Sequence, residues 1–380
     1  MAVNARTPVI VAARRTPIGT AGHALKDVTV DALAATVLRA VVADLPGAVT
    51  VDEVVLGNCL GPGGNLARVA ALSAGLGIEV AARTVDVQCG SGLAAVLTAA
   101  DAIAAGRCEV VLAGGAESAS TAPTRTWPDG RVYARAPFTP AGHPDPEMGE
   151  AADALAAAAG ITRERADVYA ARSHARAFAA EQAGVFAAEL VPVGAVVRDE
   201  RVRDGLTAER LARLRPTFGP DGTVTPGNAT GVNDGAAVVA IVSEAVRARW
   251  GVPGLAITES AQRGCDPALP VLGPVPAVRA LRTLRGDDGA VDWSVVDRVE
   301  INEAFAAQVL ACADALGLPE ERICGDGGAV ALGHPWGASG AVLLVRLFSA
   351  LVRDGRGRRG LAAIAVGGGQ GLAAVVERVG

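Results

Sequence analysis

Lysine, aromatic residues and closely spaced cysteines are scarce in this 380-residue chain. Lys26 is the only lysine, aromatic residues make up 3% of the chain, and no two of the six cysteines have C-x-x-C spacing. Such scattered cysteines are typical of reduced thiols in a cytosolic protein, and they argue against both a disulfide framework and a zinc or other metal site. Gly and Arg interrupt every apolar run, so neither a membrane span nor a secretory signal is expected. These absences predict a cytoplasmic protein.

The net charge and the composition indicate which classes of binding partner are not expected. The formal net charge of −5 gives no electrostatic reason to expect nucleic acid or an anionic membrane. Hydrophobic residues make up 51% of the chain and charged residues 20%, which is typical of a globular protein. The chain is too long for one ordinary core, so two or three packed units are expected.

Strand-like and helix-like segments alternate along the chain, a pattern typical of an α/β sheet. Short runs rich in Val, Ile and Ala predict strands at 9–13, 54–57, 84–87, 109–113, 298–301 and 361–366. Apolar residues at helical spacing predict helices at 33–42, 68–75, 93–105 and 341–351.

One α/β unit occurs twice. In each copy a small-Ser-Gly sequence opens a helix, and the next strand ends in glycines, Gly114-Gly115 in the first copy and Gly367 to Gly369 in the second. We interpret this as an internal duplication. Turn-rich sequence between the copies predicts an insertion. The expected domains are an N-terminal half at 1–117 completed by about 232–257, an inserted loop domain at 118–231, and a C-terminal half at 258–380.

Cys89 is the strongest catalytic candidate. It stands where a predicted strand gives way to a predicted helix, and Gly90 and Gly92 allow a ligand to approach the backbone. A helix N-terminus favours negative charge, so we expect the pKa of the thiol to be lowered and the reactive thiolate to be enriched. The structural alternative is a small buried hydrophobe, which is the commoner state of a cysteine.

Three further positions carry residue types that suit catalysis. His334, between Gly and Pro before the second repeated helix, could deprotonate Cys89 or stabilise a thioester oxygen, or it could be a structural hydrogen-bonding histidine. Asn302 follows a predicted strand, where the sites of α/β folds form, or it caps a helix. Gly367 begins a glycine run that could present N–H groups to an oxyanion or form a tight turn.

Seven motifs, in this order, resemble those of the thiolase family, which includes acetyl-CoA acetyltransferases and 3-ketoacyl-CoA thiolases. Each motif alone is a weak signal, but together they span nearly the whole chain. They are Arg15-Thr-Pro-Ile-Gly, Val51-Asp-Glu-Val-Val-Leu-Gly-Asn, Cys89-Gly-Ser-Gly-Leu, Ala113-Gly-Gly-Ala-Glu-Ser, Gly227-Asn-Ala-Thr-Gly, Asn302-Glu-Ala-Phe-Ala and Gly333-His-Pro-Trp-Gly-Ala-Ser-Gly.

The resemblance implies a thiolase-like duplicated αβαβα layered fold with an inserted loop domain. It also implies an acyl-CoA C-acyltransferase with a ping-pong reaction through an acyl-enzyme intermediate. In this resemblance Cys89 matches the acylated nucleophile, and His334 matches the histidine that activates it and helps to hold the thioester oxygen. Asn302 matches the asparagine that fixes a water in the same oxyanion hole. Gly367, with the Cys89 amide, matches the second oxyanion hole.

Binding residues and partners follow from the same resemblance. Met148 matches a methionine beside the acyl pocket, and Thr230 matches a loop serine near the pantetheine. Coenzyme A thioesters are implied as substrates, with no tightly bound cofactor. A homodimer is implied, with the sheets of two subunits side by side near the sites. Many relatives are tetramers through a longer loop after the Ala-Glu-Ser motif, and the excursion at 121–148 is short here, which favours the dimer.

The chain departs from the family pattern at several positions. Ala365 stands where the family has a second reactive cysteine, which takes the α-proton when a carbon–carbon bond forms and delivers it when one is cleaved. The usual Asn-x-Asn is Cys324-Gly-Asp326, Glu147 replaces a histidine, and Trp336 replaces a smaller aliphatic residue. These departures bear on reaction specificity rather than on acyl transfer to a cysteine.

Three functions stay open at this point. In the first, acyl-Cys89 condenses acyl-CoA units or is formed by cleavage of a 3-oxoacyl-CoA, and His334 or a water replaces the missing cysteine. The second keeps acyl-Cys89 but uses an acceptor that needs no α-proton abstraction, such as a decarboxylating malonyl thioester, an amine or hydroxyl, or water. The third is a non-catalytic thiolase-like protein that binds acyl-CoA or a partner enzyme.

Overall fold

The computed structural model describes residues 3–286 and 289–380. Its strands are β1 (Pro8–Arg15), β2 (Gly19–Thr20), β3 (Glu53–Gly57), β4 (Ala81–Val85), β5 (Val110–Ser118), β6 (Arg125–Thr126), β7 (Val132–Tyr133), β8 (Asn233–Ser243), β9 (Gly254–Gly264), β10 (Arg298–Ile301), β11 (Arg359–Val366) and β12 (Gln370–Val379). Its α-helices are α1 (Val30–Ala43), α2 (Leu66–Ser73), α3 (Ser91–Ala104), α4 (Met148–Ala159), α5 (Arg163–Gln182), α6 (Ala208–Leu211), α7 (Glu244–Trp250), α8 (Pro274–Arg279), α9 (Ala306–Leu316), α10 (Ala329–Leu332) and α11 (Trp336–Phe348).

Two half-sheets join into one ten-stranded sheet. The order is β10-β11-β12-β9-β1-β8-β5-β3-β4, and β2 pairs with β8. Strands β4, β3, β5, β8 and β1 belong to the first half, and β9, β12, β11 and β10 belong to the second. The halves meet where Val9 pairs with Ala256 and Ile10 pairs with Leu255. The pairs β3–β4, β3–β5 and β10–β11 are parallel, as expected where helices connect neighbouring strands.

Apolar clusters define five layers. Helices α1 and α2 pack on the outer face of the first half-sheet, and α8 and α9 pack on the outer face of the second. Helices α3 and α11 contribute to the central cluster between the two half-sheets. The predicted αβαβα class is therefore confirmed. Together with a π-helical turn, α11 forms an apolar stretch, Trp336–Arg353, that is long enough to cross a membrane, but 83% of it is buried, as expected of a core helix.

The glycines after residue 113 do not end a strand, so that part of the prediction was wrong. Strand β5 continues through Gly114 and Gly115 to Ser118. A Cβ on Gly114 would lie 2.0 Å from the Ala237 oxygen, and one on Gly115 would lie 1.9 Å from the Gly337 oxygen. The two glycines therefore allow strand β8 and helix α11 to approach the backbone of β5, which a side chain would prevent.

A buried ion-pair network joins the two halves to the inserted segment. Arg15, which is fully buried on β1, donates to Glu189 at 2.7 Å and to Asp199 at 2.7 and 2.8 Å. Arg346 on α11 also pairs with Glu189, and it donates to Asp326 at 2.9 Å. Burial alone would raise the pKa of Glu189, but the two arginines outweigh it and hold that pKa below its ordinary value. The carboxylate therefore stays charged.

Loss of Arg15 should destabilise the protein strongly, because it leaves Glu189 and Asp199 buried with fewer partners. Arg15→Ala should cost about 3–5 kcal/mol. The neighbouring Arg14 pairs with Asp44 at 2.6 Å in a partly exposed position, so Arg14→Ala should cost roughly 1 kcal/mol or less. Denaturant midpoints of both variants measure the difference. Equal midpoints would show that the buried network is not a major source of stability.

Candidate active site

Cys89 lies in a tight turn that links β4 to α3. The strand predicted at 84–87 ends earlier, at Val85, and the turn occupies the residues that follow. Gln88, just before the cysteine, has φ 46°, a conformation that is uncommon for a residue other than glycine. The Ser91 hydroxyl holds this turn, since it accepts from the Val87 amide at 2.8 Å and donates to the Gln88 carbonyl at 2.6 Å. The turn fixes Cys89 two residues before α3 begins.

His334 lies in the short connection between α10 and α11. Its backbone amide donates to the Asn233 side chain at 2.9 Å, and its Nδ1 lies 2.6 Å from the Ser339 hydroxyl oxygen. That hydroxyl donates its proton to the Pro335 carbonyl at 3.1 Å, so the arrangement assigns the imidazole proton to Nδ1. Nε2 is then the unprotonated nitrogen and can act as a base.

The N-termini of α3 and α11 are in direct backbone contact. A Cβ on Gly92 would lie 2.8 Å from the Gly337 oxygen, and one on Gly340 would lie 2.4 Å from the Leu93 nitrogen. Because Cys89 and His334 each stand two residues before one of these helices, both lie at the same end of the crossing pair. We refer to the region around Cys89, His334, Asn302 and Gly367 as the Cys89 site.

Glu117 connects the two sides of this site. The residue is fully buried at the end of β5, and its carboxylate accepts four N–H groups. Three come from the loop after β3: Asn58 Nδ2 at 2.8 Å and the Cys59 and Leu60 amides at 3.1 Å each. The fourth is the Gly337 amide in the first turn of α11, at 3.0 Å. One carboxylate thus holds an N-terminal loop against the helix that follows His334.

The thiol and the imidazole are both neutral at rest. Burial, the nearby charge of Glu117 and that of Asp86 raise the pKa of Cys89 to about 12, although its own backbone amide opposes the rise. The expected lowering by the helix N-terminus was therefore wrong, because burial and the Glu117 charge outweigh it. Burial lowers the pKa of His334 to about 3. These pKa directions disfavour a preformed thiolate–imidazolium pair, so an attack by the Cys89 sulfur would require an accompanying proton transfer.

The loop that carries Thr230 contacts the segment that follows β10 and begins with Asn302. Asn302 is buried, and its backbone amide donates to the Ala363 carbonyl on β11 at 2.9 Å. It does not cap α9, whose N-cap is Phe305, so the capping alternative was wrong. The Thr230 amide donates to the Ala304 carbonyl at 3.0 Å, two residues beyond Asn302. The loop at 227–231 therefore packs directly on the Asn302 segment.

The carboxyl end of β11 forms another side of the Cys89 site. Ala365 is almost fully buried on β11, and Gly367 immediately follows the strand. A Cβ on Gly90 would lie 2.7 Å from Val366 Cγ2, so the Cys89 turn rests on the end of β11. Met148 is the first residue of α4 and packs, half-buried, against the cluster around α8 and α9 rather than against the central one.

Sequence reasoning missed several residues that shape the site. Glu117 was available as a signal, because it is a single acidic residue at the end of an otherwise apolar strand. Ser339 was noticed only as part of a repeated motif, and its bond to His334 fixes the tautomer. Asn58 was noticed only as the last residue of a family motif, and Phe138 gave no local signal. Their contacts, to Glu117 and to Gly367, join distant parts of the chain.

Replacing Glu117 should make the Cys89 thiol more acidic. Glu117→Gln removes the negative charge that disfavours the thiolate, so the pKa of Cys89 should fall. Below that pKa the thiolate fraction increases about tenfold for each unit of decrease. Iodoacetamide should therefore modify Cys89 faster at mildly alkaline pH, as followed by the mass of the Cys89 peptide. Glu303→Gln is the control, since that buried carboxylate binds Tyr169 and Ser173. Unchanged modification in Glu117→Gln would refute this electrostatic role.

Comparison with known proteins identifies the family. The thiolase N-terminal domain model matches residues 8–245, and the thiolase C-terminal domain model matches residues 253–378. Acetyl-CoA acetyltransferase from Escherichia coli is 43% identical, with 98% of this chain and 99% of the relative covered. The enzyme of the same name from Chromobacterium violaceum is 42% identical, with 97% and 99% covered.

The crystal structure of the Bacillus anthracis acetyl-CoA acetyltransferase agrees with these matches. It superimposes with a TM-score of 0.89 at 38% identity and covers 98% of this chain and 99% of its own. The predictions of a thiolase fold, of an enzyme and of a thiolase-type acyltransferase are confirmed at that level. The chain belongs to the thiolase family.

Proposed function

We propose that this protein is an acyl-CoA C-acyltransferase that works through acyl-Cys89. The observation that carries the proposal is the placement of Cys89 and His334 just before the contacting N-termini of α3 and α11, with Nδ1 of the histidine engaged by Ser339. The named relatives, which are acetyl-CoA acetyltransferases, support the substrate class.

The first half-reaction follows from these groups. The Cys89 sulfur attacks the thioester carbon while its proton passes to Nε2 of His334. Charge develops on the carbonyl oxygen, where the Cys89 and Gly367 amides would act as hydrogen-bond donors. The carbon–sulfur bond to coenzyme A then breaks, and the leaving thiolate takes the proton back from His334. This sequence leaves an acyl group on Cys89 and free coenzyme A.

Unpaired arginines support binding of the coenzyme A phosphates. Six arginines occur at 198–215, and within the described residues none of them forms an ion pair. Arg201 Nη2 lies 3.4 Å from the Ala229 carbonyl, so this segment borders the loop that carries Thr230. Arginines without a carboxylate partner are well suited to phosphate. A thioester could therefore extend from this surface past Thr230 to Cys89.

The acceptor in the second half-reaction is the open chemical question. Condensation requires removal of an α-proton from the second acyl-CoA, and Ala365 has no group that can accept it. We propose that His334 or a water takes this role. The alternative, favoured by the alanine itself, is an acceptor that needs no such proton removal: a malonyl thioester that loses carbon dioxide, an amine or hydroxyl, or water.

We also propose a cytoplasmic homodimer. Strand β4 forms one edge of the sheet close to Cys89, and an unpaired edge offers backbone groups to a second copy. Val69, Leu72 and Ile78, on or just after α2, which packs beside this edge, are 50%, 44% and 83% exposed. Such an apolar surface next to an open edge suits an isologous contact. The six free cysteines support a reducing compartment.

The proposed phosphate surface can be tested with a truncated substrate. The double variant Arg213→Ala/Arg215→Ala should raise KM for acetyl-CoA about tenfold, a loss of about 1.4 kcal/mol of binding. It should leave the rate with acetyl-N-acetylcysteamine unchanged, because that thioester has no phosphates. Arg131→Ala is the control, since Arg131 is exposed but paired with Asp129. Equal losses with both thioesters would contradict phosphate binding by these arginines.

The central test separates acylation from carbon–carbon bond formation. With acetyl-CoA, the Cys89 peptide should gain one acetyl group, and Cys89→Ala should gain none. Ala365→Cys should then increase acetoacetyl-CoA formation about 10²-fold or more by supplying a general acid–base group, whereas Ala365→Ser should not.

Each result discriminates between the candidate functions. Carbon dioxide released from malonyl-CoA, without acetoacetyl-CoA formed from acetyl-CoA alone, would favour the alternative acceptor. Absence of acyl-Cys89 with every acyl-CoA would leave the protein as a binding protein without catalysis.

A further inference from the structure

The Phe138 ring lies on the glycines that follow β11. A Cβ on Gly367 would come within 2.6 and 2.7 Å of two ring carbons, and one on Gly368 would lie 2.9 Å from the Phe138 carbonyl oxygen. The ring therefore occupies the space where any side chain at Gly367 would have to go. The inserted segment thus reaches the part of the Cys89 site where we place the second oxyanion hole.

Phe138 and the Cys89 turn contact consecutive residues at the carboxyl end of β11. Val366, adjacent to Gly367, lies under the Cys89 turn, with its Cγ2 atom 2.7 Å from where a Gly90 side chain would begin. Phe138 contacts the next residue along. An acyl group on the Cys89 sulfur, with its carbonyl oxygen directed at the Gly367 amide, would therefore have this aromatic ring as a neighbour.

Phe138 is not a core residue in the ordinary sense. It is half-buried and belongs to none of the four apolar clusters that the described residues form, and the close approaches given above are to glycine backbone. An aromatic ring that remains partly accessible beside a reactive cysteine can offer its free apolar surface to a bound acyl chain.

Charged contacts hold the ring in place. The Arg135 guanidinium stacks over Phe138, 4.5 Å from the ring centre. Arg135 also donates to the Asp145 carboxylate at 3.0 and 3.1 Å and to the Asp145 carbonyl at 3.0 Å. The same carboxylate accepts the Phe138 amide at 3.3 Å. The segment from Arg135 to Asp145 is thus closed on itself, and a rotation of the ring away from this position would break its contact with the Arg135 guanidinium.

We propose that Phe138 limits the acyl group on Cys89 to short chains, of about two to four carbons. The inference rests on the proposed acylation of Cys89 and adds the substrate class. A fixed ring that packs on Gly367 removes the room that further methylene groups need, and each methylene that fails to fit lowers the rate by roughly 10- to 200-fold. Acetyl-CoA and butanoyl-CoA fit this class, and octanoyl-CoA lies outside it.

The test compares acyl chains in one assay. Phe138→Ala and the milder Phe138→Leu are mixed with acetyl-, butanoyl- and octanoyl-CoA, and the rate of Cys89 acylation is followed by peptide mass. The ratio of octanoyl to acetyl rates should rise at least tenfold in Phe138→Ala and less in Phe138→Leu. Trp127→Ala is the matched control, because Trp127 lies in the same inserted segment but stacks on Tyr133, 4.5 Å away. It should leave the ratio unchanged.

The experiment distinguishes failure of the specificity role of Phe138 from failure of the proposed acylation of Cys89. If both Phe138 variants acetylate Cys89 but keep the original chain-length ratio, the specificity role is wrong and the acylation mechanism stands. The same conclusion follows if all three rates fall equally, because a purely structural residue would act in that way. If the unchanged protein acylates Cys89 with none of the three thioesters, the proposed function fails and the specificity role fails with it.

Discussion

Backbone meets backbone where α3 crosses α11, because Gly92 and Gly340 put no side chain between the two helices. The same closeness extends to β5, where Gly115 faces the Gly337 carbonyl. These contacts set the distance between the two halves of the molecule. They also bring together the two helix ends that Cys89 and His334 precede, so the proposed chemistry depends on a packing arrangement that only the smallest residue permits.

The Cys89 site holds its thiol and imidazole in fixed positions but keeps both of them neutral. Glu117 ties the loop after β3 to α11, and its charge also disfavours the Cys89 thiolate. Burial keeps His334 neutral, and Ser339 selects its tautomer. A thiol that stays protonated until a substrate is in position resists side reactions such as oxidation, which require the thiolate. In the proposed mechanism, the electrostatics that make the free thiol less reactive would therefore also protect it between turnovers.

The sequence allowed prediction of the layers, most strands and the main catalytic candidates, because periodicity and motif order are local signals. Strand β10 was predicted with its observed bounds, whereas β5 was predicted too short. Glycine weakens strand interiors, and only the contacts with the distant Ala237 and Gly337 show why β5 continues through two glycines. The predicted lowering of the Cys89 pKa was wrong for a similar reason. A helix N-terminus is visible in sequence, while burial and the approach of Glu117 are properties of the folded chain.

The contact between Phe138 and Gly367 also bears on how such a protein can change over time. The reactive centre is built from strand ends, helix ends and glycines of the duplicated core, where few substitutions are sterically possible. The ring over Gly367 instead comes from the inserted segment, whose hairpin and loop lie outside the layered core. Under the roles proposed above, exchanging residues in that segment would alter which acyl groups fit while leaving the proposed nucleophile and base in place. The proposal therefore assigns substrate range and bond chemistry to separate stretches of chain, which could change independently of each other.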